Sequence, residues 1–249
     1  MPVALLHGFL GAPGLWSAVL DHWPAQLPVH AVALPGHAGR PIPRAWDDAV
    51  AALAAPAAAA DLVIGYSLGA RLALGLVAAG HARRAVLVSV NPGLTDPGER
   101  AARRAADHGW AERLRTDPAA FYRAWDTQPV LASRRHAPPA VHAALAAARA
   151  THDSFALAAT LEATSLGAMP DLRAVLATHP AVELVVGAAD PKMVALAAAA
   201  QAARPGLVVT TLAGAGHDLP AEAPAALAAA LLASYRRLVG AAAPGITSP

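Results

Sequence analysis

The sequence predicts an α/β protein: a mostly parallel sheet of about six strands, interrupted by an all-helical insertion. Short apolar runs alternate with helix-like stretches over the first 90 residues and again beyond residue 177. None of the first four runs shows the apolar–polar alternation of a half-exposed strand, so each is expected to be covered on both faces. Between the two regions, from Asn91 to about Leu176, helical patches follow one another without a convincing strand.

Val3–Leu6, Val29–Leu34, Leu62–Ile64 and Ala85–Val90 read as buried strands, and Val182–Val186 and Leu207–Leu212 follow late in the chain. Alanine-rich segments around Trp16–Trp23, Ala45–Ala60 and Ala70–Gly80 separate the first four; Met193–Ala203 and Ala221–Val239 follow the last two. Strand alternating with helix means a parallel sheet with helices on both faces. The insertion holds helical patches at Glu99–His108, Pro118–Trp125, Pro139–Arg149 and Phe155–Thr164, punctuated by Pro-Gly and Pro-Pro turns. It is expected to cap the C-terminal edge of the sheet. Residues 1–90 and 177–249 are then the core and 91–176 the cap, with the tail Ala241–Pro249 expected to fray.

With 56% hydrophobic and 14% charged residues over 249 positions, the chain can bury one sizeable core and is not a disordered segment. A net charge of +2 without a sustained basic run gives no footprint for nucleic acid or a membrane surface. The absence of cysteine removes disulfides, thiol catalysis and thiolate metal sites together, and suits a reducing compartment. The apolar N-terminal stretch lacks a positively charged leader, and every apolar run breaks before the roughly 18–20 residues of a membrane span. A soluble, cytoplasmic protein is expected.

Gly65-Tyr66-Ser67-Leu68-Gly69 directly follows the strand Leu62–Ile64 and precedes a helix, which is the nucleophile elbow G-x-S-x-G in its strand–turn–helix context. The turn forces Ser67 into a strained backbone and holds its hydroxyl at a helix N-terminus. A glycine-flanked turn with an incidental serine is the bland reading, and the flanking context disfavours it. Serine needs an adjacent base, and among 11 histidines position selects His217, in Gly214-Ala215-Gly216-His217 just past the last strand. His37, in Leu34-Pro35-Gly36-His37, also follows a strand and reads as a loop-structuring residue. Asp190 lies past the preceding strand and gives the chain order Ser, Asp, His; Asp96 is the second candidate, and either could be a helix cap. His7-Gly8-Phe9 follows the first strand, so the backbone N–H groups of Phe9 and Leu68 are placed to form an oxyanion hole. This constellation predicts the α/β-hydrolase fold. No H-E-x-x-H, phosphate loop or dinucleotide fingerprint occurs, so no metal or nucleotide cofactor is expected.

Several stretches together are more specific than the elbow. They are His7-Gly8-Phe9, Leu34-Pro35-Gly36-His37, Gly65 through Arg71, Asn91-Pro92-Gly93-Leu94, Trp125 with Gln128-Pro129-Val130, Leu161 through Leu166, Pro170 through Arg173, Asp190 with Lys192, and Gly216-His217. In these the chain resembles the 2-succinyl-6-hydroxy-2,4-cyclohexadiene-1-carboxylate synthases, cofactor-free lyases of menaquinone biosynthesis. The resemblance implies elimination of pyruvate from a 5-enolpyruvoyl precursor, with Ser67 and His217 serving proton abstraction. It maps carboxylate-binding arginines onto Arg71, Arg103 and Arg149, pocket-lining roles onto Tyr66 and Trp125, and a further cation onto Lys192. Arg71 also stands on its own: it lies one helical turn after Ser67, where a cation opposes the macrodipole unless an anion is bound nearby. Arg103, Arg149, Trp125 and Lys192 read without the resemblance as ordinary surface or cap residues. Ala70 stands where these lyases commonly have glycine. Relative to the fold, the sequence opens at its third strand; the N-terminal antiparallel pair is not represented, and Val29–Leu34 becomes a sheet edge. An open edge can pair with another chain, so monomer and homodimer both stay open.

Two other functions use the same residues. A serine hydrolase could turn the triad on a small ester, thioester or carbon–carbon bond, although the arginine set suits an anionic substrate. A catalytically silent member of the fold could bind a small ligand only, although the complete Ser67–Asp190–His217 set argues against it. Fold alone does not choose between them.

Overall fold

The computed structural model describes residues 2–240, so the tail Ala241–Pro249 lies outside it. Six strands form one sheet: β1 (Val3–Leu6), β2 (Val29–Val32), β3 (Leu62–Tyr66), β4 (Ala85–Val88), β5 (Val182–Gly187) and β6 (Val209–Leu212). Their order is β2-β1-β3-β4-β5-β6, and every neighbouring pair is parallel. The chain winds one way from β1 to β2 and the other way from β3 onward. The loops after β1 and β3 therefore diverge and leave a crevice at the C-terminal edge, where open α/β sheets bind ligands.

Both faces of the four inner strands are buried, and the side chains divide by parity. Ala4, Leu6, Val63, Ala85, Leu87, Leu184 and Val186 enter one hydrophobic cluster, whereas Val3, Leu5, Leu62, Ile64, Val86, Val88 and Val185 enter the other. This division explains the apolar runs of β1, β3 and β4, whereas the edge strands β2 and β6, expected to be buried, are partly exposed and carry His30, Thr210 and Thr211. The first cluster is closed by α2 (Trp46–Ala51), α3 (Ala54–Ala58), α4 (Leu68–Ala78), α9 (Arg173–Thr178) and α10 (Pro191–Ala203). The second is closed by a 3₁₀ turn at Pro13–Trp16, α1 (Ser17–Leu20), α11 (Leu219–Glu222) and α12 (Pro224–Val239).

The cap comprises α5 (Pro97–Thr116), α6 (Pro118–Asp126), a 3₁₀ segment Pro129–His136, α7 (Pro139–Ala150) and α8 (Ser154–Ala163). Aspartates start three of its helices. Asp96, Asp117 and Asp153 accept from the N–H of Glu99 (2.7 Å), Ala120 (2.9 Å) and Ala156 (2.8 Å). Each such cap contributes about 1 kcal/mol. The cap has its own small core, in which Ala111 and Leu114 of α5, Phe121 of α6 and Leu157, Ala158 and Leu161 of α8 pack around Leu10. From Leu166 onward, however, the stretch assigned to the cap returns to the sheet. Leu166, Met169, Leu172 and Leu176 are buried in the first core cluster.

Strand ends differ from the sequence expectation for local reasons. β2 stops at Val32 because the Leu34 N–H is taken by the His7 imidazole instead of a neighbouring strand. β4 stops at Val88 because Ser89 turns to φ 53°. β3 runs two residues into the glycine motif, pairing Gly65 with Leu87 and Tyr66 with Val88. β2 lies at the sheet edge as expected. Among the described residues no helix is long and apolar enough to cross a membrane.

Candidate active site

The crevice is built first by the β3–α4 turn. Ser67 sits at φ 52°, ψ −107°, a left-handed conformation that costs a non-glycine residue energy and is tolerated only where the surroundings enforce it. The surroundings here are backbone. A β-carbon on Gly65 would collide with the Gly69 carbonyl, and one on Gly69 with the carbonyl of Leu6. Both glycines are thus fixed by close approach, and the Ser67 hydroxyl stands at the head of α4.

The loops after β5 and β6 bring two more side chains to it. The Ser67 hydroxyl donates to His217 Nε2 at 3.1 Å, and His217 Nδ1 donates to Asp190 Oδ2 at 2.7 Å. Asp190 is buried at 6% exposure, and its other oxygen accepts from the Met193 N–H at 3.1 Å as the cap of α10. Burial works against its negative charge, but the bonds from His217 and the backbone outweigh it and hold the carboxyl below the ordinary range. Asp96 is exposed and spends its carboxylate capping α5, so the geometry selects Asp190. The loop after β4 also contributes, since the strained Ser89 donates its hydroxyl to the His217 carbonyl at 3.0 Å.

Phe9 and Leu68 lie on the same cavity as Ser67. Among the described residues, neither backbone N–H has a protein acceptor. The loop carrying Phe9 is held by two buried histidines. His7 Nε2 accepts from the Leu34 N–H (3.1 Å) while Nδ1 donates to the Gly8 carbonyl (2.8 Å). His37 Nε2 accepts from the Leu10 N–H (3.3 Å) while Nδ1 donates to the Pro35 carbonyl (2.9 Å), the loop-structuring role expected of it. Each ring needs one bare nitrogen, so each must be neutral. Burial is the main cause that pulls His7 down from 6.5 to about 4 and His37 well below its ordinary value.

A pH dependence of stability follows. Below pH 6.5 the unfolded chain takes up protons that folded His7 refuses until about pH 4, so this stability is complete above 6.5 and is lost as pH falls toward 4. His7 alone should cost about 2 kcal/mol between pH 7 and pH 5. Urea unfolding at the two pH values measures it. Equal free energies at both would contradict the neutral-histidine account.

A cavity of about 410 Å³ opens over Ser67 and His217, walled by the sheet loops below and the cap above. Tyr66, Arg71, Arg103, Trp125 and Lys192 all line it, as does Arg134, which the sequence did not single out. The lining thus holds four cations, and no carboxylate side chain is part of it among the described residues. Arg71 donates to the Thr164 carbonyl at 2.7 Å, and Arg103 pairs with the buried Asp107 at 2.8 Å. Burial, and then the neighbouring Arg103 charge, pull the Arg71 guanidinium down to about 10. Arg103 and Arg134 have buried carboxylate partners, Asp107 and Asp218, and Arg71 and Lys192 are the lining cations without one among the described residues. Trp125 serves two purposes, since it faces the cavity and also stacks on Phe121 at 5.2 Å within the cap's aromatic cluster.

Arg149 is placed differently from its mapping. It is not part of the lining; instead Asp126 holds it through two bonds, 2.7 and 2.6 Å, and the Tyr122 ring lies 5.0 Å from its guanidinium carbon. Asp126 is a local carboxylate that satisfies the same planar fork a substrate carboxylate would.

The alpha/beta hydrolase family matches residues 3–230. A 2-succinyl-6-hydroxy-2,4-cyclohexadiene-1-carboxylate synthase from Enterobacter sp. (strain 638) is 36% identical over 92% of this chain and 89% of its own length. One from Serratia proteamaculans (strain 568) is 37% identical over 91% and 89%. The chain belongs to this synthase family of alpha/beta hydrolases. MenH from S. aureus shares the fold, with a TM-score of 0.88 at 21% identity over 96% of this chain and 95% of that one. A malate-bound thermophilic esterase from Thermogutta terrifontis shares it at a TM-score of 0.76 and 20% identity over 96% and 90%. Family membership fits the six-stranded parallel sheet and its helical cap.

Proposed function

We propose that this chain is a cytoplasmic, cofactor-free lyase of menaquinone biosynthesis. It eliminates pyruvate from 2-succinyl-5-enolpyruvoyl-6-hydroxy-3-cyclohexene-1-carboxylate, leaving 2-succinyl-6-hydroxy-2,4-cyclohexadiene-1-carboxylate. The observation that carries this reading is the hydrogen-bonded Ser67–His217–Asp190 line opening onto a cavity lined by Arg71, Arg103 and Lys192, of which Arg71 and Lys192 have no carboxylate partner among the described residues. The substrate bears several carboxylates, which such a cavity suits and a neutral ester does not require. Membership of the synthase family supports the same assignment.

The chemistry can be derived from the two ring systems. Ring carbon 2 carries the succinyl ketone, so its proton is the acidic one. Ser67, deprotonated by His217 Nε2, removes it, and Asp190 stabilises the imidazolium that forms. Negative charge then gathers on the ketone oxygen, where the N–H groups of Phe9 and Leu68 receive it. As the enolate collapses, a double bond forms between ring carbons 2 and 3 and the existing one moves to carbons 4 and 5. The carbon–oxygen bond at carbon 5 breaks, and its electron pair leaves with enolpyruvate, which becomes pyruvate on protonation. No acyl-enzyme is needed. Arg71 and Arg103 hold substrate carboxylates, Lys192 adds positive charge, and Tyr66 and Trp125 wall the ring. Turnover of the enolpyruvoyl substrate should exceed that of p-nitrophenyl acetate by several orders of magnitude in kcat/KM. Comparable ester hydrolysis without pyruvate would move the chain to the serine hydrolases.

A further inference from the structure

Two carboxylates unused by the elimination join the cap to the loop that carries His217. Glu222 of α11 accepts from the N–H groups on either side of His217, those of Gly216 (2.6 Å) and Asp218 (3.0 Å), and also from the cap's Ser133 hydroxyl (2.8 Å). Asp218 is wholly buried, and its carboxylate accepts from Arg134 Nε at 2.5 Å. Ser133 and Arg134 are neighbours in the segment Pro129–His136, whose cavity-lining members are Pro129, Val130, Leu131 and Arg134. Packing confirms how closely the two parts meet: a β-carbon on Gly216 would lie 2.9 Å from the Ser133 β-carbon. The pair also faces Tyr66. Burial first, and then the Asp218 charge, push the Tyr66 phenol well above its ordinary value against an opposing pull from Arg134.

A buried ion pair adheres no better than an apolar contact of the same size, because desolvation cancels most of the attraction. Its distinctive property is direction. Arg134 Nε bonds one oxygen of a carboxylate that is one residue from His217 while its NH1 reaches the cap's Asp126 at 3.4 Å, and Ser133 fixes the carboxylate that holds both amides flanking His217. We propose that Arg134–Asp218 and Ser133–Glu222 form a clamp that registers the His217 imidazole against Ser67 when the cap segment is seated. These four are positioning residues: they act through His217 and touch no reacting atom. The inference rests on the elimination reading for its kinetic test.

Arg134→Met should lower kcat about ten- to a hundredfold, the scale of a small misplacement of a reacting group, with KM changed less than about threefold. Arg134→Lys should restore part of the rate, and Arg134→Met/Asp218→Asn should recover more than either single change predicts, since no buried charge is then left alone. Independently of turnover, hydrogen–deuterium exchange at the Gly216 and Asp218 amides should quicken in Arg134→Met. Ser133→Ala, a small change, should act in the same direction and carries the exchange test if Arg134→Met does not fold. Unchanged exchange overturns the clamp whatever the activity. A raised KM with kcat intact overturns it too, because Arg134 would then be a substrate ligand. If the wild-type protein releases no pyruvate, the elimination reading fails, and the exchange result still decides the clamp.

Discussion

Ser67→Ala and His217→Ala are each expected to lower kcat on the enolpyruvoyl substrate by about a thousandfold or more, and the double variant should be scarcely worse than either single one. The reason is the shared proton path. With His217 Nε2 3.1 Å from the Ser67 hydroxyl, removing either member leaves the other without a function in proton abstraction. Asp190→Asn should also be severe, because a neutral amide at the 2.7 Å contact to Nδ1 neither stabilises the imidazolium nor enforces the Nδ1–H tautomer. Asp96→Asn should leave the rate unchanged, since that carboxylate caps α5. Single-turnover measurements on the five variants check this. A mild Asp190→Asn beside a crippled Asp96→Asn would reverse the assignment.

The second large effect concerns Arg71. Arg71→Ala should lower kcat/KM about ten- to a hundredfold, about 1.5–3 kcal/mol for one charged hydrogen-bonded contact in a partly dry pocket. Arg71→Lys should recover little of this, because an ammonium cannot reproduce the planar fork. The bond from Arg71 to the Thr164 carbonyl is lost as well, so the melting temperature should fall by only a few degrees, about 1 kcal/mol. Steady-state kinetics and a melting curve on the same preparation separate the two effects. Full activity in Arg71→Ala would remove the support for an anionic pocket where the geometry is clearest.

Much of this molecule is legible in its sequence, and the parts that are not share a cause. Strands such as Val3–Leu6 and Ala85–Val88 stand out because a sheet buried on both faces requires unbroken apolar runs. The triad stands out because the sharp turn at Ser67 demands glycines at fixed spacing, and because the loops after β5 and β6 can hold only a few candidates. Pairings distant in sequence leave no such trace. Arg134 meets Asp218 across 84 residues, in a 3₁₀ segment with no helical periodicity to mark an inward face. Arg149 sits on the helix expected for it, yet Asp126, 23 positions earlier, captures its guanidinium, and no local pattern announces that partner. Likewise Ser89 reads as one more strand residue until its backbone is seen to turn and its hydroxyl to hold the His217 carbonyl.

The most direct measurement is to mix purified protein with 2-succinyl-5-enolpyruvoyl-6-hydroxy-3-cyclohexene-1-carboxylate in the presence of a metal chelator, and to follow pyruvate by a coupled dehydrogenase alongside the conjugated diene by absorbance. Elimination at this site predicts one pyruvate for each diene formed, with both signals abolished together in Ser67→Ala. Wild-type protein that forms neither product, or releases pyruvate undiminished after Ser67→Ala, would contradict it.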